Sequence, residues 1–220
     1  MSRIRDTGKK SKGLKARAAP SAPVERNGLS SPLESLGYTI TEEAISDDAF
    51  DKLPNAIQDR INDLCGEVQV APRVAIKELT ALIRKFPDVN QLYNYLYNAY
   101  GYAGREAEAL RVLKVHYQKS PSYLFAKINY ADYLARRGRM DKVEEMLDNH
   151  FDLADLYPSR RVFHVSEVIG FNGVIGYYHA LKGENEKARR CLDILQALSP
   201  QHGLTERLSQ KLDNQGQLLA

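Results

Sequence analysis

Three prolines in this chain share one upstream register. Twelve residues before Pro87, Pro121 and Pro200 stand Ala75, Ala109 and Ala188. Eight residues before them stand Leu79, Leu113 and Leu192. Seventeen residues before the last two stand Gly104 and Gly183. Gly104 to Gly138 is 34 residues, and so is Pro87 to Pro121. A fixed period of this length marks one small unit that recurs along the chain. Each unit reads as helix, turn, helix. The glycine ends the first helix, where a left-handed cap needs a residue without Cβ. The alanine stands where two helices cross closely. The proline closes the second helix because it cannot continue one. One such hairpin cannot bury its apolar face alone, so neighbours must stack.

The residues Tyr93, Leu96, Tyr100, Gly104, Ala109, Leu113 and Pro121 make the clearest unit, from about 90 to 122. Ala131, Gly138 and Leu147 mark the next, with Val143 in the alanine position and its proline three residues late at Pro158. Gly176, Gly183, Ala188, Leu192 and Pro200 mark a third, whose first helix reads about two turns longer. The unit before Pro87 has a good second helix (Val74, Ala75, Leu79, Leu82) and a first helix broken near Pro54 and Gly66. These residues resemble the tetratricopeptide repeat family over roughly 55–215. Tyr97 replaces the small residue usual after Leu96, and His116 a usual alanine. The resemblance implies an all-α fold: a right-handed superhelical solenoid of about three to four antiparallel helical hairpins. Leu204, Leu208 and Leu212 suggest a final capping helix. No alternating strand pattern of useful length is present.

In that family the first helix of each hairpin lines a concave groove that holds peptides or partner helices. Carried over, the groove candidates are Gln91, Asn94, Tyr95, Asn98 and Tyr102, then Phe125, Ile128, Asn129, Asp132 and Arg136, then Gly173, Val174, Tyr177 and Ala180. Asn can serve a peptide backbone as donor and acceptor. Tyr offers rigid area with a polar tip. Tyr93, Tyr97 and Tyr100 read as packing residues. One subclass grips C-terminal carboxylates; Asn98 and Asn129 match its asparagines. Asn94, Gly170 and Val174 stand where that clamp needs basic residues, so the clamp is incomplete. Gly170, Gly173 and Gly176 recur every three residues in a helix, each at about 1 kcal/mol against Ala. Close helix packing is the first reading that offsets this cost, and a bend or a close ligand approach is the alternative. His164, Ser166 and Glu167 read as capping or packing residues.

The net charge of +3 hides an asymmetry. Residues 1–30 hold eight basic and two acidic residues, and the rest hold 23 and 26. This Pro/Ala-rich stretch lacks large apolar residues and reads as a disordered tail. Arg3, Arg5, Lys9, Lys10, Lys12, Lys15 and Arg17 suit sequence-independent contact with phosphates. Residues 31–50 read as a linker or docking segment, because Leu36, Tyr38 and Ile40 need an apolar surface. The repeat domain is expected over 51–220.

Chemistry is scarce. The chain has no phosphate-cradling loop, dinucleotide fingerprint or nucleophile elbow. The five His make no metal-binding frame, and Cys65 and Cys191 are 126 positions apart. Both Cys read as small buried hydrophobes. His116 and His150, 34 apart, read as equivalent packing residues. Glu144, Glu145 and Asp148 read as a solvated face. No apolar run reaches a membrane span, and no secretory signal is present. The expectation is a cytoplasmic, non-catalytic protein–protein interaction module without cofactor or metal. The alternatives are a nucleic-acid- or ribosome-associated factor using the tail, or a small secretion or assembly chaperone.

Overall fold

The computed structural model describes residues 31–44 and 47–217, and the basic residues of the tail lie outside them. In chain order the elements are β1 (Thr39–Thr41), α1 (Asp48–Asp51), α2 (Asn55–Val70), α3 (Pro72–Lys85), α4 (Asn90–Tyr102), α5 (Glu106–Lys119), α6 (Leu124–Arg136), α7 (Met140–Met146), α8 (Leu153–Leu156), β2 (Val162–His164), α9 (Val165–Lys182), α10 (Asn185–Leu198) and α11 (Gly203–Gln217). The described chain is mostly helical. None of these helices is long and apolar enough to cross a membrane.

The punctuation read from the sequence has a repeated geometry. Gly104, Gly138 and Gly183 have φ of 70°, 71° and 76°. After each, the next amide donates five residues back: Arg105 N to Tyr100 O, Arg139 N to Leu134 O and Glu184 N to His179 O, at 2.9–3.0 Å. This is the Schellman cap, and it turns the chain into the second helix the same way three times. The residue before each register proline also repeats. Phe86, Ser120 and Ser199 close α3, α5 and α10 with φ of -130° to -157° and ψ of 64–81°, outside the α region that a following proline disfavours.

Each second helix packs on its first, and α2 packs on α4, α6 on α9, and α9 on α11. Between α4 and α6 the approach is looser. One core gathers α2, α3 and α4 around Ile61, Leu64, Leu79 and Leu92. Arg60 ties that unit, bonding both Glu67 (2.6 Å) and Glu78 (2.7 Å). A second core gathers α6, α7 and α9 around Ile128, Leu147, Phe163 and Ile175. A third joins α9, α10 and α11 through Ile169, Leu195 and Leu208.

Helix α9 is apolar on every side, and twelve of its eighteen residues are buried. Such a helix must be surrounded. Its glycines make that possible. A Cβ on Gly170 would stand 2.9 Å from Ile128 Cδ1 on α6. One on Gly173 would stand 2.7 Å from Leu204 Cβ on α11, and one on Gly176 2.8 Å from Cys191 Cβ on α10. The row is therefore a close-packing device facing three neighbours.

Four readings of the helical pattern and its surroundings differ from the structure. Helix α2 is continuous through Gly66, and Pro54 stands at its N-cap, where the missing N–H costs nothing. The second helix after α6 is short: α7 ends at Met146, and Asp148 and Asn149 take φ of 49° and 58°. His150 consequently falls in an exposed turn, while His116 is buried. The two are not structural equivalents. Finally, two three-residue strands exist. β1 pairs in parallel with β2, Thr39 opposite Val162 and Thr41 opposite His164. Leu36 is buried, and Tyr38 and Ile40 pack against the α6–α9 core. Segment 31–44 thus docks beside the start of α9.

Gly173→Ala and Gly176→Ala should each lower stability by about 1–2 kcal/mol, overpacking outweighing the helix-propensity gain. Gly66→Ala, with nothing within 4 Å of its added carbon, should instead stabilise by up to about 1 kcal/mol. Urea melts of the three variants measure both signs.

Candidate functional site: the cleft between α4, α5 and α6

The looser seam leaves a cleft of ≈ 870 Å³. Tyr97, Asn98 and Tyr102 line it from α4, and Glu106, Leu110 and Leu113 from α5. Tyr133, Arg136 and Arg137 close the third side from α6 and its end. The volume lies in the range of small-ligand and side-chain sites. Segment 31–44 contributes nothing to its wall. Tyr102 is 57% exposed at the mouth. Burial raises the Tyr97 phenol above its ordinary value, reinforced by the nearby Asp132 carboxylate and opposed by Arg136 and Arg207.

Behind the cleft lies an ion cluster. Asp132, 9% exposed, receives Arg136 Nε at 3.1 Å and an Arg207 amino group at 2.8 Å. Arg207 comes from α11, and its guanidinium lies over Tyr177 on α9 at 4.4 Å. Arg137 lies over Tyr133 at 5.4 Å.

The candidate residues therefore part into groups. Asn98, Tyr102 and Arg136 line the cleft. Asn129 donates to Asn94 at 2.8 Å, bridging α6 and α4. Tyr95 packs on the α2–α4 core, with burial and the neighbouring Cys65 raising its phenol pKa. Phe125 packs beside Gly170. Asp132 and Tyr177 are engaged by Arg207. Gly173, Val174 and Ala180 are buried, so α9 presents no open face there. Tyr133, Arg137 and Arg207 escaped the sequence reading, and Tyr97, read there as a packing residue, lines the cleft. Tyr133 and Arg137 sit one position round α6 from the face assigned to the groove. Arg207 meets Asp132 across 75 residues, and no local pattern signals that.

The other candidates act structurally. His164 and Glu167 form a capping box at the start of α9, and Arg160 clamps the Glu167 carboxylate with both amino groups. Tyr178 and Lys182 donate to Glu144, so Glu144 ties α7 to α9 and is not merely solvated. Cys65 is exposed rather than buried. Cys191 is partly buried, and burial pushes its thiol up to about 12. His116 stacks on Tyr93 at 5.2 Å and meets Asn90 Oδ1 at 3.3 Å. Among the described residues no group of three or more His, Cys, Asp or Glu converges on a metal position.

Comparison with protein-family models, with curated proteins and with solved structures found no match.

Burial lowers the His116 pKa to about 4 from an ordinary 6.5. The native ring stays neutral while the unfolded chain takes up a proton, so stability falls as pH drops from 6.5 towards 4. Between pH 7 and pH 5 the loss from this residue should be about 2 kcal/mol. Denaturant melts at the two pH values should show it, and His116→Phe should remove that share.

Proposed function

We propose that this chain is a non-catalytic interaction module of tetratricopeptide type. In this reading its hairpins stack as a right-handed superhelical solenoid of about three to four repeats, capped by α11. It binds a peptide or helix of a protein partner. The α4–α5–α6 cleft carries the reading. It is large, it is lined by three tyrosines and an asparagine, and it is not filled by the chain's own described residues. Rigid aromatic area with polar tips is what binding surfaces concentrate. The repeated glycine caps and proline stops support the repeat assignment, because they place equivalent turns at equivalent positions. The buried Glu167 is tied to Arg160 and the buried His179 to Glu184, which suits a scaffold. Both cysteines are free, as in a reducing compartment, and we place the module in the cytoplasm.

Capture of partners from native lysate tests this. Full-length chain should retain a protein partner at high salt, and the Asn98→Ala/Tyr102→Ala/Tyr133→Ala variant should lose it by about tenfold or more. Captured nucleic acid or ribosomes that vanish with salt, or with deletion of residues 1–30, would make the tail the working element and overturn the reading.

A further inference from the structure

The charges around the cleft do not balance. Arg136 shares one carboxylate, Asp132, with Arg207. Among the described residues Arg137 has no carboxylate partner, only the ring of Tyr133. Glu106 is the single acid in the lining. Three guanidinium groups thus stand against Asp132 and one exposed Glu. A guanidinium stacked on an aromatic face is held in orientation with its N–H edge available. That edge pairs best with a carboxylate or another planar anion.

We propose that the cleft takes an acidic peptide segment: an aromatic or branched apolar side chain seats among Tyr97, Tyr102 and Tyr133, and a flanking Asp or Glu pairs with Arg137 and Arg136. The proposal rests on the reading of the chain as a peptide-binding module and adds the chemistry of the peptide.

The neighbouring cations decide between a peptide and a phosphate chain. Arg105 is paired with Glu108, Arg139 with Asp141, and Lys142 with Glu145. Nucleic acid needs a track of available cations to follow its repeated phosphates. Here those flanking cations are paired internally, and within the lining itself the cations, Arg136 and Arg137, stand on one wall. That suits one or two carboxylates spaced along a peptide. The opposite wall, carrying Glu106, would repel a continuous anionic backbone.

The test uses full-length chain and two pools of dye-labelled heptapeptides, capped at both ends so that no terminal carboxylate is present. Both have Phe, Tyr or Leu at the centre. One carries Asp/Glu around it and the other Asn/Gln. Anisotropy titration should show the acidic pool binding about tenfold tighter or better. Arg137→Gln should weaken the acidic pool by about fivefold and leave the neutral pool unchanged. Arg111→Gln removes an α5 charge outside the cleft and should change neither. Equal binding of the two pools overturns the acidic preference and leaves the interaction module standing. Binding of neither pool overturns this proposal, while lysate capture decides the module separately. Displacement of the acidic pool by an oligothymidylate, lost in Arg137→Gln, overturns it in favour of phosphate recognition.

Discussion

The C-terminal half of the molecule depends on how closely other helices approach α9. An 18-residue helix without a polar face has to be enclosed. Three helices cannot enclose it at ordinary side-chain spacing. Gly170, Gly173 and Gly176 remove that obstacle one turn at a time, admitting Ile128, Leu204 and the Cys191–Leu208 pair in succession. The intrinsic helix cost of three glycines is about 3 kcal/mol. It is offset by the burial of Ile175, Leu195 and Leu208, each fully enclosed, at about 1.5–3 kcal/mol apiece. Enclosure also brings polar groups inside, and each has an answer: Glu167 in the Arg160 clamp, Asn172 on Val168 O, His179 on Glu184.

One seam earlier the packing is looser. Tyr97 and Gly101 of α4 and Tyr133 of α6 line the cleft there, and the Asn94–Asn129 bond ties the two helices. Farther along the chain, α11 packs on α9 and α10. Arg207 reaches across Tyr177 to Asp132, so the open region stops where the C-terminal helix begins to cover it.

Much of the helical organisation was legible in the sequence because glycine and proline act locally. A φ near +70° and a closed-off helix end are properties of single residues, and Gly104, Gly138, Gly183, Pro87, Pro121 and Pro200 deliver them where the spacing predicts. The glycine row of α9 was legible for the same reason: an unfavourable residue used three times implies a close neighbour. Local cues failed where the outcome rests on distant partners. Gly66 carries a helix-breaking signal, yet the buried Ile61, Leu64 and Val68 hold α2 straight through it. The groove face was inferred by carrying one helix orientation from unit to unit, and burial of Val174 and Ala180 shows that α9 does not share it. Arg207 and its Asp132 partner could not be paired from sequence spacing at all.

The β1–β2 pair shows the same limit and adds a consequence for the cleft. Three-residue strands have no intrinsic stability, and parallel pairing demands a long crossover. Here the crossover is most of the helical array. β2 leads directly into α9, and Tyr38 packs edge-on to the buried Phe163 at 4.9 Å, so the pairing rests on the packed helices beside it. The segment most available to fill an apolar groove is thereby committed elsewhere: Leu36 is buried, and Tyr38 and Ile40 lie on the α6–α9 core. By absorbing its own apolar leader at the start of α9, the chain leaves the α4–α5–α6 cleft free of that segment.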